Sequence, residues 1–277
     1  MPASSALPVA TGPVLALDTS TETIAAGLHT GHASCTLLAP GGALASLHLL
    51  PQLRTLLERA GLAWKDIQAI AFGRGPGAFT GLRTACAVAQ GLGYGLARPL
   101  LPLDSLLIVA EDARAQAGAD ADAFEVGVVM DARMDEVYAA RYRWHGERWQ
   151  VLQEPGLYGL SALAQTWASL PQQALAGSAL AAFGSRLVLP TGGPRFEHEQ
   201  DRAAALLRLA RRAALAGNGV DPAAALPLYL RDRVAQTTAE REAAKVAVAA
   251  SPGDAASPLS LMPAAAGRPK AAPLRRS

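Results

Sequence analysis

Two apolar segments that each end in aspartate, Val14 to Asp18 and Val126 to Asp131, open two runs of elements in the same order. After the first come strand-like stretches at Ile24 to His29 and Ser34 to Leu38, at hairpin spacing, with a Thr-rich turn and a Gly31 turn between them. A helical stripe follows, with Leu49, Leu50, Leu53, Leu56, Leu57 and Ala60 on one face, and it stops at Gly61, a residue suited to the left-handed position after a helix. Pro51 fits this helix if it lies in the first turn and kinks it otherwise. Next are an apolar strand at Ile67 to Phe72, a Gly/Pro turn at 73–77, a helix from Phe79 to about Leu96 and a short strand at Leu100 to Leu103. Asp104 or Ser105 can cap a further helix that runs to about Ala117.

After Val126 to Asp131 the order repeats. Strands at Val137 to Trp144 and Trp149 to Leu152 flank a His145-Gly146-Glu147 turn. A helix near Ser161 to Ala168, a strand near Ala174 to Gly177, a strand near Leu187 to Leu189 and a helix from about Asp201 to Leu215 complete the second run. The pattern predicts a duplicated α/β unit. Residues 13–106 form the first subdomain, and 107–240 form the second together with a returning C-terminal segment. Residues 1–12 are expected to be frayed, and the Ala/Pro-rich residues 241–277 to form a disordered tail.

Composition narrows the class of protein. With 51% hydrophobic residues and a net charge of +2, the chain is too apolar for general disorder. Its most apolar stretch, Ala85 to Leu103, is broken by Gln90, Arg98, Pro99, Pro102 and several glycines, so no membrane span of ~20 apolar residues is expected. The pI of about 8.7 suggests nucleic-acid binding only superficially. From Ser251 onward Arg268, Lys270, Arg275 and Arg276 against Asp254 give +3, so the first 250 residues are net −1 and lack the overall excess of a free-standing RNA binder. No basic residue precedes Arg54, so no secretory or mitochondrial leader is expected. Cys35 and Cys86 read as buried free thiols rather than a disulfide framework, in keeping with a cytoplasmic protein.

Two segments have the makings of chemistry. Asp18-Thr19-Ser20-Thr21-Glu22-Thr23, after a strand, either presents amides and a carboxylate to a phosphate–metal pair or is an ordinary hairpin turn. Gly73-Arg74-Gly75-Pro76-Gly77-Ala78-Phe79-Thr80-Gly81-Leu82-Arg83 permits close backbone approach at a helix N-terminus, where an anion can bind, yet it is neither a Walker A loop nor GxGxxG. In the following helix Gly77, Gly81, Ala85, Ala89 and Gly93 recur every four residues, with Ala87, Gly91 and Gly95 on a second row. Such a ridge of small side chains lets another helix, internal or from another subunit, approach closely.

Leu15-Ala16-Leu17-Asp18-Thr19-Ser20, the 73–83 segment, Met130-Asp131-Ala132-Arg133 with Glu136-Val137-Tyr138, and Pro227-Leu228-Tyr229-Leu230-Arg231 resemble, in this order and spacing, the TsaB family. TsaB is the dimerisation subunit of the bacterial tRNA threonylcarbamoyladenosine biosynthesis complex, and the resemblance runs from about Val14 to Ala235. It implies two actin/Hsp70/sugar-kinase-like (ribonuclease H-like) subdomains and a cytoplasmic accessory protein. It also implies pairing with a catalytic TsaD-like subunit and a TsaE-like ATPase, tRNA being reached indirectly through the complex. That complex transfers a threonylcarbamoyl group to the adenosine beside the anticodon of tRNAs reading codons that begin with A.

TsaD-type proteins carry a His-x-x-x-His metal motif where this chain has Ser105 and Val109, and its five histidines show no i, i+4 pair, so no metal is expected. Asp18, Thr19, Ser20, Gly75, Gly77 and Asp131 are candidates for a degenerate phosphate site. Asp131-Ala132-Arg133-Met134 replaces a glycine-bearing hairpin, and the adenosine-site glycine pair is reduced to Gly177-Ser178. Asp131, Arg133, Glu136 and Tyr138 also fit a purely structural role. No cofactor is expected, with ATP or ADP bound only weakly or at the partner interface. Leu50, Leu53, Leu57, Phe79, Gly81, Leu82, Ala85, Ala89 and Gly93 are the expected helix-bundle contacts with the partner, and in isolation the same surface is expected to make a homodimer. Arg83, Arg133 and Arg231 are candidates for interface or tRNA contacts, Arg83 and Arg231 also for reaching the opposite subdomain. The alternative reading is a small-molecule kinase or ATPase of the same fold. A metallopeptidase is disfavoured by the missing ligand pair.

Overall fold

The computed structural model describes residues 12–118, 123–171, 173–190 and 192–231. The expected tail at 241–277, and all but Gly12 of the N-terminal segment, lie outside the described residues.

Among the described residues ten strands form two five-stranded sheets. In the first, β1 (Val14–Asp18), β2 (Thr23–His29), β3 (Ser34–Pro40), β4 (Ala69–Gly75) and β5 (Leu100–Asp104) take the order β3-β2-β1-β4-β5. In the second, β6 (Ala123–Asp131), β7 (Glu136–His145), β8 (Arg148–Gly159), β9 (Ala174–Ala176) and β10 (Arg195–Phe196) take the order β10-β9-β6-β7-β8. The orders are the same once the strands are renumbered. In each sheet the lead strand pairs antiparallel with the next and parallel with the fourth, Val14 facing Ala69 and Val126 facing Ala174. This is the duplicated ribonuclease H-like unit of actin-like folds. The second sheet's edge strand is Arg195–Phe196 and not the expected 187–189. Leu187 and Leu189 are buried against α4 (Leu160–Trp167) and α5 (Ala179–Phe183), but their backbone joins no ladder.

Both faces of the first sheet are covered, which is why β1 is apolar from Val14 to Leu17. Leu15 and Leu17 point to α1 (Ala45–Ala60) and α2 (Phe79–Leu96), where they meet Leu49, Leu53, Ala85 and Ala89. Val14 and Ala16 point the other way, to α6 (Arg202–Leu215) and its Ala203, Leu206 and Leu207. Successive strand residues alternate faces, so the small ones lie under α6. Pro51 lies past the first turn of α1 and deprives the Leu47 carbonyl of its i+4 donor, on the exposed side of the helix.

The last helix of each half crosses to the other. α3 (Ser105–Gln116) lays Leu106, Val109, Ala110 and Ala113 on the second sheet, while α6 covers the first. The segment after α6 also returns to the first half: Val220 pairs with Leu100, and Leu228 donates its amide to Arg74 at 2.7 Å. Thus α6 and this strap, although within 107–240, pack on the first sheet. Asp104 is the N-cap residue of α3, but its carboxylate turns away to Arg74 at 2.6 Å and makes no capping bond.

Glu111, fully buried on α3, fastens the exchange. Its carboxylate accepts from Arg114 at 3.1 Å, Arg208 of α6 at 2.6 Å and the Trp149 indole at 2.9 Å. Burial alone would raise its pKa, but these donors outweigh burial and hold the carboxyl below its ordinary 4.5. A carboxylate whose folded pKa is depressed stabilises the fold above its unfolded pKa and loses that contribution as pH falls through the folded value. Glu111→Gln is therefore expected to destabilise the neutral protein by about 3 kcal/mol, because the buried Arg114 and the half-buried Arg208 lose a charged acceptor. It is also expected to flatten the decline in stability below pH 4.5. Urea titrations of both proteins across the acid range check both outcomes.

Candidate functional site

The β1–β2 turn and the 73–83 segment meet at the C-terminal ends of β1 and β4. Ala78 donates its amide to the Ser20 carbonyl at 2.8 Å, and Thr19 Oγ1 donates to the Gly81 carbonyl at 2.7 Å. Gly75 donates its amide to Ser105 Oγ at 3.1 Å. Asp18, Thr19, Ser20, Gly75 and Gly77 are thus brought together. All three turn residues are nevertheless buried, and their polar atoms are engaged by the protein itself.

The group that engages them is Arg202, which the sequence reading passed over. Its Nε donates to Asp18 Oδ2 at 2.8 Å, one terminal nitrogen to Ser20 Oγ at 2.9 Å and the other to Glu199 at 2.6 Å. Burial alone would lower the Arg202 pKa; Asp18 and Glu199 more than compensate, and the guanidinium stays charged. Burial raises the pKa of Glu199, with Arg202 opposing. The available signal was the position: Arg202 shares a helical face with Ala205, Leu206 and Leu209, all buried.

Asp131 ends β6 in the second half and is not part of this cluster. It accepts from the Arg133 amide at 2.7 Å and its guanidinium at 3.4 Å. Arg133, Met134 and Asp135 all have left-handed backbone, with φ of 66°, 57° and 57°, a run that side chains other than glycine rarely adopt. Arg231 supports this turn from the strap, donating to the Ala132 carbonyl at 3.0 Å and to Glu136 at 2.5 Å. Arg231 thus ties the returning segment to the turn after β6, and Arg83 of α2 meets the same segment: it lies 3.9 Å over the Phe79 ring and donates to the Tyr229 hydroxyl at 3.3 Å. Arg133 is largely exposed, 3.9 Å from Glu22 of the first half. Ser105 and Val109 are buried, and among the described residues no group of three or more His, Cys, Asp or Glu is placed to hold a metal ion.

The second candidate surface lies on α1 and α2, and here the sequence reading is corrected. Leu53, Leu57, Gly81, Leu82, Ala85, Ala89 and Gly93 are buried in the chain's own interior and cannot touch a partner. Two rows of small residues run along α2, and the row at 81, 85, 89 and 93 faces the first sheet. Ala87, Gly91 and Gly95 are offset by two residues, about 200° around the helix, so they point outward. A Cβ at Gly91 or Gly95 would meet nothing within 4 Å. Leu50, of the expected contacts, is exposed and Phe79 is half-buried. Leu50, Pro51, Arg54, Thr55, Gly91 and Gly95 help line an open groove of about 830 Å³ between the helices. Exposed Leu44, Leu47 and Tyr94 extend the apolar surface of these elements.

These features define an α/β protein of two duplicated actin-like halves, in which Arg202 engages the Asp18–Ser20 turn and the first two helices leave a groove open. The family described as TsaD, tRNA N6-adenosine threonylcarbamoyltransferase, matches over residues 45–186. The tRNA threonylcarbamoyladenosine biosynthesis protein TsaB of Escherichia coli K12 is 32% identical over 232 residues, which are 80% of this chain and 96% of that protein. The Haemophilus influenzae protein of the same name is 36% identical over 125 residues, 45% of this chain and 51% of that one. Among solved structures, YeaZ from Pseudomonas aeruginosa superposes with a TM-score of 0.71 at 35% identity, covering 79% of this chain and all of that one. The chain belongs to the TsaB family. Among the described residues no helix is long and apolar enough to cross a membrane.

Proposed function

We propose that this chain serves tRNA threonylcarbamoyladenosine biosynthesis as a docking subunit that does not itself catalyse group transfer. In this reading the outward groove between α1 and α2 receives the equivalent helices of a TsaD-like catalytic subunit, and a TsaE-like ATPase joins the pair in the cytoplasm. tRNA is then engaged through the complex, at the adenosine beside the anticodon in tRNAs reading codons that begin with A. Without the partner the same groove pairs two copies of this chain, because an apolar surface of this kind favours burial.

The observation that carries the reading is the contrast between the two surfaces. The cleft where a kinase or ATPase of this fold works is closed by Arg202, whereas the helix groove is open. The cradle's carboxylate and hydroxyls are engaged internally, so we expect no cofactor in this chain alone and ATP or ADP only weakly or at the partner interface.

Depletion of the protein in cells, followed by nucleoside analysis of bulk tRNA, is expected to remove threonylcarbamoyladenosine. Affinity capture from the same cells is expected to retrieve a TsaD-like protein. Unchanged modified nucleoside would overturn the reading, and robust ATP hydrolysis or phosphoryl transfer by the purified protein would favour the kinase alternative.

A further inference from the structure

Most arginines of this fold face a carboxylate, as Arg74, Arg141, Arg143, Arg202 and Arg208 do. The cations at the C-terminal end of α6 are different. Among the described residues no carboxylate lies within ion-pair distance of Arg148, Arg211 or Arg212. Arg148 and Arg211 are exposed. Arg212 lies 4.3 Å over the Trp144 ring and donates to the Glu147 carbonyl at 3.1 Å, which seats the β7–β8 turn against the helix. In that turn Arg148 pairs across the ladder with exposed His145. On the other flank of α6, Arg211 approaches the β2–β3 turn: burial, and then the Arg211 charge, lower the pKa of His29, and exposed His32 lies beside it.

Two observations separate this face from a chance excess of charge. The first 250 residues are net −1, so these cations are not the overflow of a generally basic chain, and the one carboxylate within 29–32, 144–149 and 211–216 is Glu147. Cations in the last turn of a helix also offset its dipole. That accounts for Arg211 and Arg212, but Arg148 and His145 come from a hairpin of the second half. The second observation is position. α1 and α2 cover one face of the first sheet and α6 the other, so a partner seated in the α1–α2 groove leaves the α6 face free.

We propose that Arg148, Arg211 and Arg212 hold the phosphate backbone of tRNA, so that this chain touches the RNA directly on the side away from its docking groove. The choice of RNA as the anion rests on the role in tRNA modification proposed above. Guanidinium groups without a carboxylate partner are free to take phosphate oxygens in their planar fork, and the Trp144 ring already fixes the plane of Arg212. Such contacts carry no sequence information. They add affinity to whatever the rest of the complex supplies and leave the choice of tRNA to it.

The test titrates bulk tRNA from depleted cells with the purified full chain, with Arg148→Glu/Arg211→Glu, and with the charge-matched control Arg59→Glu/Arg195→Glu. All four substituted side chains are exposed and without an ion pair among the described residues. The wild type is expected to bind at ~1–100 µM, the range of sequence-independent contacts. Arg148→Glu/Arg211→Glu is expected to bind at least about tenfold more weakly, with a dependence of log K on log salt shallower by about 1.5, as for two lost phosphate contacts. The control is expected to bind within about twofold of wild type. If the glutamate pair unfolds at a lower temperature, Arg148→Gln/Arg211→Gln is read instead. Equal tRNA binding by wild type and the α6-face variant overturns the proposal, while the docking function still stands if depletion removes threonylcarbamoyladenosine. Loss of TsaD-like partner capture by that variant also overturns it, since the face would then belong to a protein interface. So does binding to vesicles of equal parts phosphatidylcholine and phosphatidylglycerol without binding to tRNA.

Discussion

Gly81→Ala is expected to destabilise the protein by about 3 kcal/mol or more, the upper end of what overpacking costs. The sign is opposite to the usual one, because alanine in place of a mid-helix glycine ordinarily gains ~1 kcal/mol. At Gly81 the new Cβ would fall on the Thr19 carbonyl oxygen. That carbonyl cannot easily retreat. The Thr19 side chain is itself bonded to the Gly81 carbonyl, and Asp18 and Ser20 on either side are held by Arg202. The N-terminal turn of α2 must therefore lift from the β1–β2 turn, loosening the packing of Leu82 and Ala85 beneath it. Gly91→Ala supplies the control, since its Cβ would enter open space and only the helical gain remains. Urea midpoints for the two variants should move in opposite directions. If Gly81→Ala is as stable as the wild type, the close approach of helix and turn is misplaced.

The contrast between these glycines marks where the sequence is readable and where it is not. Alternation and turn residues are local signals, so the duplicated strand order, the stop of α1 at Gly61 and the span of α6 were all legible. Burial without pairing misled at Leu187 and Leu189, which are apolar and inward-facing but carry no ladder, while Arg195–Phe196 is too short to show a pattern. The packing of α6 on the first sheet depends on which apolar faces meet in three dimensions, and periodicity does not encode a helix's partner. The same holds at the cleft. Asp18, Ser20 and the glycine turn stand out locally, but the residue that engages Asp18 and Ser20 lies 184 positions away from Asp18. Its only local trace is a charge on an apolar helical face. On α2 both rows consist of small residues, so composition alone could not say which row faces inward.

That ambiguity gives the second large effect. Ala89→Trp and Gly91→Trp put the same side chain two residues apart on one helix, with opposite expected consequences. Ala89 is fully buried among Leu15, Leu49 and Cys86 and their neighbours, and an indole there must displace α2 from the sheet. The variant is expected to be insoluble or largely unfolded, because core overpacking of this size exceeds the ~1–3 kcal/mol of an added methylene or two. Gly91 opens on the groove beside Leu50 and Gly95, so its variant should fold with stability within about 1 kcal/mol of wild type. An indole in that groove fills the space a partner helix would need. Self-association and capture of a TsaD-like partner are expected to weaken by about a hundredfold or more, which corresponds to ~3 kcal/mol of binding free energy. Sedimentation of the pure protein reads the first, pull-down the second, and complementation of depleted cells should fail in parallel. A folded Gly91→Trp protein that still dimerises and still captures its partner would place the interface on another face. A well-folded Ala89→Trp protein would reverse the assignment of the two rows and restore the inner ridge as the contact.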